Sequence, residues 1–479
     1  MVGLPIGAEE ANLSVVHYDA VIIGAGMSGL AAGIRLAYFD KRVCIVEKHY
    51  AFGGLNSYYT LNGREFDVGL HAVTNCAPPG VRSAPLAKLL RQLRLTREDF
   101  DLRPQRFSEV RFPGRRLRFT NDITVLTAEV AREFPGDADP FRRLSRAISE
   151  YDDVNLETVY RSARATLREF LRDPVLIEML LCPIMFYGSA EERDMDFTQF
   201  ATMFKSIFLE GFGRPVGGVR TIIKALVRKF RECGGKLRMR CGVERIETDG
   251  DRVTSLTLES GETLTADVVL SCAGYFETMR LCSDSTAGPH PPPADEVGRV
   301  SFVETIAVLD ELPARLGHEA AIVFRNDADA FDYAVPDGLI DRRSGIICCP
   351  SNYEGHDLIE EGLFRLTWLA NPDRWEELSD EAYRAAKERC CEEALAEGER
   401  MIPGLRDHVV ATDLFTPRTI RRYTGRLNGA VYGMPRKRRD GRTRLENLFI
   451  CGTDQGFLGI IGAMLSGITI ANRYVLVRK

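Results

Sequence analysis

Tyr18-Asp19-Ala20-Val21-Ile22-Ile23-Gly24-Ala25-Gly26-Met27-Ser28-Gly29 is the stretch that decides the fold. An apolar run of strand type leads directly into Gly-x-Gly-x-x-Gly. Leu30, Ala31, Ile34 and Leu36 then give residues 28–39 the pattern of a buried helix. Arg42-Val43-Cys44-Ile45-Val46-Glu47 reads as a second strand. Strand, glycine turn, helix and strand in this order make a Rossmann-type βαβ unit, the context that gives the glycine motif meaning. Gly24 permits the tight turn. Gly26 lets backbone approach a pyrophosphate lying on the helix N-terminus, with Ser28 in the same turn, and Gly29 allows the helix to pack closely on the strand.

Glu47 ends the second strand 18 residues after Gly29. A carboxylate there can accept hydrogen bonds from an adenosine ribose and would repel a 2′-phosphate. Three further features argue for FAD over NAD. Gly53-Gly54 lies just beyond Glu47, where a second backbone approach needs residues without Cβ. Val243 opens a strand whose backbone could meet the adenine. Leu448-Phe449-Ile450-Cys451-Gly452-Thr453-Asp454 reads as strand, glycine turn and acid, followed by a helix from about Gly459 that includes Gly462. Such a helix can aim its N-terminus at a flavin ring and stabilise its reduced anion, while Asp454 accepts a ribityl hydroxyl. No second Gly-x-Gly-x-x-Gly follows a strand pattern, so no separate nicotinamide domain is expected.

The chain then alternates between two textures. Residues 18–77, 213–287 and 410–479 read as one discontinuous FAD-binding domain, with an amphipathic helix at 219–233 and a hairpin around Asp249-Gly250-Asp251. Residues 78–212, helical and charge-rich, and 294–409, with strand patterns at 301–309, 320–324 and 364–369 and a long helix at 379–402, read as a substrate domain. Gly288-Pro289-His290-Pro291-Pro292-Pro293 marks a boundary. The expected fold class is α/β: a Rossmann-type FAD-binding domain with an interleaved α+β substrate domain.

Composition sets the outer limits. The 479 residues exceed one ordinary core, and 63 basic against 68 acidic residues argue against a dedicated nucleic-acid binder. Twelve cysteines include no Cys-x-x-Cys, and several sit in apolar runs, so buried thiols in a reducing cytoplasm are expected, with no metal site. The first seventeen residues lack Lys and Arg, so no secretory leader is expected. No uninterrupted apolar run is long enough to predict a membrane span.

These motifs, with Gly63-Arg64-Glu65-Phe66-Asp67-Val68-Gly69, Arg214-Pro215-Val216-Gly217-Gly218, Thr416-Pro417-Arg418-Thr419 and the stretch Tyr423–Gly433, resemble the phytoene desaturase, carotenoid isomerase and retinol saturase superfamily over nearly the whole chain. The resemblance implies an FAD-dependent oxidoreductase of carotenoid biosynthesis type. Its apolar tunnel would lead a polyene to the flavin, for desaturation, saturation or cis–trans isomerisation, and the protein would visit the membrane surface. It does not identify the electron acceptor. Leu70-His71-Ala72-Val73-Thr74-Asn75 departs from the bacterial desaturase pattern, and His71 is the one candidate there for a catalytic role. A flavin amine oxidase, and a prenyl-lipid-binding escort protein of the GDP-dissociation inhibitor type, use a similar scaffold. An aromatic cage at the flavin would favour the first, and the intact Gly452-Thr453-Asp454 turn disfavours the second. Two stretches are candidates for lipid contact: Leu86, Leu89, Leu90 and Leu93 with Lys88, Arg91 and Arg94 alongside, and the stripe from Phe197 to Phe208.

Overall fold

The computed structural model of the chain describes residues 16–153, 159–283, 292–355 and 360–477. The leader reading of residues 1–15 and the Gly288–Pro291 part of the boundary lie outside them.

The opening βαβ unit forms as its pattern dictates. The strand β1 (Val16–Ile23) leads through the glycine turn into the helix α1 (Met27–Ala37) and returns as β2 (Val43–Glu47), parallel to β1. Ala20, Val21, Ile22, Cys44 and Ile45 are fully buried, because helices and a second layer cover both faces of this sheet and leave no polar side to alternate with. On the other side of β1 lies the parallel strand Thr263–Ser271, which also pairs with Leu448–Ile450. The full order runs Val243–Asp249, Arg252–Leu258, Thr263–Ser271, β1, β2, Lys236–Met239. The antiparallel pair at its edge is the hairpin expected around Asp249-Gly250-Asp251.

A second seven-stranded sheet holds, in order, Val409–Phe415, Ser301–Leu309, Gly362–Ala370, Ser344–Cys348, Ile322–Asn326, Ser108–Phe112 and Arg115–Phe119. The last two strands lie in the stretch read as helical. They form a hairpin whose turn is Pro113-Gly114, Gly114 taking a positive φ of 64°. The alternation of Val110, Phe112, Leu117 and Phe119 is short and interrupted by arginines, which hid it in the sequence. Val409–Phe415 pairs with Ser301–Leu309, so the start of the segment assigned to the FAD-binding domain joins this sheet instead. Helices over Ala163–Phe170, Pro174–Gly188 and Phe197–Phe204 pack an aromatic core against the sheet.

Both candidate lipid stretches are core. In α2 (Pro85–Leu93), Leu86, Leu89, Leu90 and Leu93 are at most 6% exposed and pack with α1 and the closing helix Gly459–Ala471. Arg91 donates to the Arg82 carbonyl (2.9 Å), and Arg94 lies over the Tyr38 ring at 4.7 Å. Phe197, Phe200, Phe204 and Phe208 contact one another in turn, from stacked to edge-to-face, inside the aromatic core. Amphipathic spacing reports a buried face without saying whether protein or lipid buries it.

The closing helix, with its continuation to Leu476, is long and apolar enough to cross a membrane, yet 61% of it is buried against the rest of the chain. It lies close on α1 because Gly467 has no Cβ. One added there would come within 2.0 Å of the Ser28 carbonyl oxygen.

Candidate functional site

A cleft of about 600 Å³ runs from the βαβ turn to the inner face of the second sheet. Of the residues singled out in the sequence, Gly24, Gly26, Ser28, Glu47, Gly53, Gly54, His71, Val243 and Gly452 line it. Gly29, Asp454 and Gly462 do not.

The glycines divide by what a side chain would meet. Gly24 has φ +102°. A Cβ on Gly29 would fall 2.0 Å from the Gly24 carbonyl, so Gly29 closes the turn and touches nothing in the cleft. Gly26 is different: its backbone (φ −74°, ψ 179°) suits any residue, and a Cβ there would meet no protein atom within 4 Å. Gly54 likewise would meet only the Gly26 Cα, at 3.8 Å. The chain's own packing does not require glycine at 26. A ligand lying on the backbone would, as at a pyrophosphate cradle. Gly53 (φ +100°) completes it, its N–H bonded to the Ala25 carbonyl at 2.9 Å.

Glu47 is held rigidly at one end. One carboxylate oxygen accepts from the Ala25 N–H and the other from the His49 N–H, both at 2.8 Å. The carboxylate keeps free lone pairs toward the cleft, beside Val243 and Glu259. This is the geometry a ribose diol needs.

At the far end the cleft is lined by Gly452, Thr453 and the first turn of the closing helix, Gly459 and Ile460, with Ala463. Gly462 does not line the cleft, and a Cβ placed on it would lie 3.1 Å from the Phe457 carbonyl carbon, so it faces the protein. Asp454 corrects the sequence reading more sharply. Its carboxylate is 1% exposed and accepts from the Tyr275 N–H (2.7 Å), the Met434 N–H (2.9 Å) and Arg426 Nη1 (3.1 Å). Burial would raise its pKa, but Arg426 and Lys437 outweigh that and hold it below the usual value. Asp454 braces the turn from behind, and its partner Arg426, which also donates to Thr453 Oγ1 (2.7 Å), is the residue that reaches the cleft. No spacing in the sequence marked Arg426.

Sequence reasoning also missed the array behind His71. Glu304 and Thr367 are register partners on adjacent antiparallel strands, and Ile306 pairs with Arg365 two residues along. The two-residue repeat therefore sets Glu304, Arg365 and Thr367 on one face, toward the cleft. The signal was a lone Glu and a lone Arg inside otherwise apolar strands, Ser301–Leu309 and Gly362–Ala370. Arg365 and Glu304 form an ion pair with each side chain only 2% exposed. His71 Nε2 lies 3.0 Å from Glu304 Oε2 and 3.1 Å from Thr367 Oγ1. Burial alone would raise the Glu304 pKa. The Arg365 guanidinium, then His71, overcome this and bring it down to about 2. Phe186, Tyr187, Phe302, Ile346, Val431 and Tyr432 make the remaining wall apolar and aromatic.

Backbone cradle, fixed carboxylate and helix start lie in the order a flavin dinucleotide needs, and the residues present fit that group. The comparisons agree. The sequence matches the family described as flavin containing amine oxidoreductase over residues 27–474. It is 24% identical to prolycopene isomerase 2, chloroplastic, of an Oncidium hybrid cultivar, over 97% of this chain and 84% of that one. It is 23% identical to the all-trans-retinol 13,14-reductase of Danio rerio, over 95% of this chain and 86% of that one. Among solved structures, an oxidoreductase from Methanosarcina mazei shares the fold with a TM-score of 0.66 at 16% identity, covering 95% of this chain and 100% of that one.

Proposed function

We propose, from the premise that this chain belongs to the flavin containing amine oxidoreductase family and is an FAD-dependent oxidoreductase, that its substrate is a long, apolar, unsaturated molecule of the polyene class. FAD would lie with its ribose at Glu47 and Val243, its pyrophosphate on Gly26 and Gly54, and its ring toward Gly452, Arg426 and Gly459. When bound it supplies a two-electron acceptor for desaturation, or a donor for saturation.

The observation that carries the substrate class is the far wall of the cleft. It is built of aromatic and aliphatic side chains, and the carboxylate among them, Glu304, is already taken by Arg365, His71 and Thr367. An amine cation would find aromatic rings there without a free carboxylate. The similarity to a prolycopene isomerase and a retinol reductase supports the same reading. Desaturation, saturation and isomerisation remain alternatives at one site, since all three need an extended polyene held against the flavin.

The test is an anaerobic titration of the flavin-loaded protein, oxidised and reduced, with all-trans-retinol, a C40 polyene and putrescine. A perturbed flavin absorption band with either polyene and none with putrescine is expected. Bleaching by putrescine alone would overturn the reading in favour of an amine oxidase.

A further inference from the structure

In the cleft, the His71 ring is hydrogen-bonded on one nitrogen and open on the other. Thr367 Oγ1 donates to Glu304 Oε2 at 2.9 Å. With its hydrogen committed, the Thr367 oxygen can only accept, as can the ionised carboxylate beside it. His71 Nε2, within reach of both, therefore carries a hydrogen whether the ring is neutral or charged. Nδ1 has no partner among the described residues, and the ring lines the cleft.

The ring is also held in place. Arg214 and Arg365 both donate to the Leu70 carbonyl (2.5 and 3.1 Å), and Tyr353 donates to the His71 carbonyl (3.2 Å). Arg214 is fixed in turn by Asp67 (2.5 Å), and the Tyr187 ring lies beside the imidazole, tilted, with centroids 6.5 Å apart. The other ionisable groups of the apolar wall are poor rivals, because burial pushes the Tyr187 and Tyr432 phenols well up.

We propose that His71 is the acid–base residue of this cleft, exchanging a proton with a substrate carbon through Nδ1 while Glu304 and Thr367 fix the hydrogen on Nε2. The inference rests on the polyene reading above. Bound FAD would supply the hydride acceptor for desaturation and the hydride donor for saturation. The part of His71 lies at the neighbouring carbon: in desaturation that carbon loses a proton to Nδ1 and the electron pair of its C–H bond becomes the new C=C bond, and in saturation Nδ1 returns the proton. The imidazolium formed in the forward direction faces the Glu304 carboxylate, which Arg365 keeps ionised.

Two measurements test this. In flavin-free protein labelled with nitrogen-15 histidine, the His71 signals, assigned among seven histidines by their loss in His71→Gln, should show the hydrogen of the neutral ring on Nε2 and none on Nδ1. A neutral ring with its hydrogen on Nδ1 would overturn the proposal. In the loaded protein, its flavin reduced anaerobically with dithionite, all-trans-retinol in deuterium oxide should take up deuterium at carbon, and His71→Gln should slow that exchange about 100-fold while FAD affinity stays within about 2-fold, as for loss of a positioned acid–base group. Equal exchange rates would remove His71 from the chemistry and leave the polyene reading standing. Retinol that neither binds nor exchanges in the wild type would instead count against the polyene reading, and the nitrogen-15 signals would still decide how His71 is wired.

Discussion

Replacing Glu304 by Gln removes the charge but keeps the shape, and leaves the Arg365 guanidinium buried without its counter-ion. Breaking a buried ion pair from one side costs about 3–5 kcal/mol. The depressed pKa of the same group leads to a similar figure. A carboxyl whose pKa falls from 4.5 unfolded to about 2 folded stabilises the fold by about 3 kcal/mol once both states are ionised, at about 1.4 kcal/mol per unit. The folded pKa is the lower one, so this contribution is complete above pH 4.5 and is lost as the pH falls toward 2. The assay is urea unfolding of wild type and Glu304→Gln at several pH values, followed by tryptophan emission, since Trp368 and Trp375 both lie in the domain concerned. The difference should be about 3 kcal/mol at neutral pH and should shrink below pH 4.5, because acid gives the wild type the same neutral group. A difference under about 1 kcal/mol, or one that does not change with pH, would refute the account of the buried array.

Glu47→Ala should weaken FAD binding by about 1–3 kcal/mol through loss of a charged acceptor, as read from titration of flavin-free protein, and unchanged affinity would place the ribose elsewhere. Gly26→Ala should fold with near-normal thermal stability, since a methyl group there meets no protein atom, yet bind FAD more weakly. Gly29→Ala should cost about 1–3 kcal/mol of stability or more, because its Cβ would strike the Gly24 carbonyl. The reverse ranking of these two variants in a melting experiment would contradict the assignment of the glycines. Replacing Lys88, Arg91 and Arg94 together by Gln should leave co-sedimentation with anionic liposomes unchanged, because the leucines of that helix are inside the protein. A salt-sensitive loss of binding would reopen that helix as a membrane contact.

What the sequence determined by itself is local. Glycine positions, the strand before them and the acid after the second strand are set by backbone sterics and short-range periodicity, and the βαβ unit follows from those alone. The sequence assigned Gly29 to helix–strand packing, whereas only the structure shows that a Cβ there would strike the Gly24 carbonyl. Tertiary structure decided whatever depended on which element covers which face. The leucine stripe at 86–93 and the phenylalanines at 197–208 have the same spacing on a membrane or in a core, and only their packing distinguishes the two. Asp454 follows its glycine turn as a flavin ligand would, but two backbone N–H groups and Arg426, distant in sequence, take up its lone pairs. His71 acquires its chemistry from Glu304 and Thr367, more than two hundred residues away, through a strand register that no local pattern encodes. A hydrogen bond between remote side chains depends on the relative placement of whole sheets, which is a property of the packed chain.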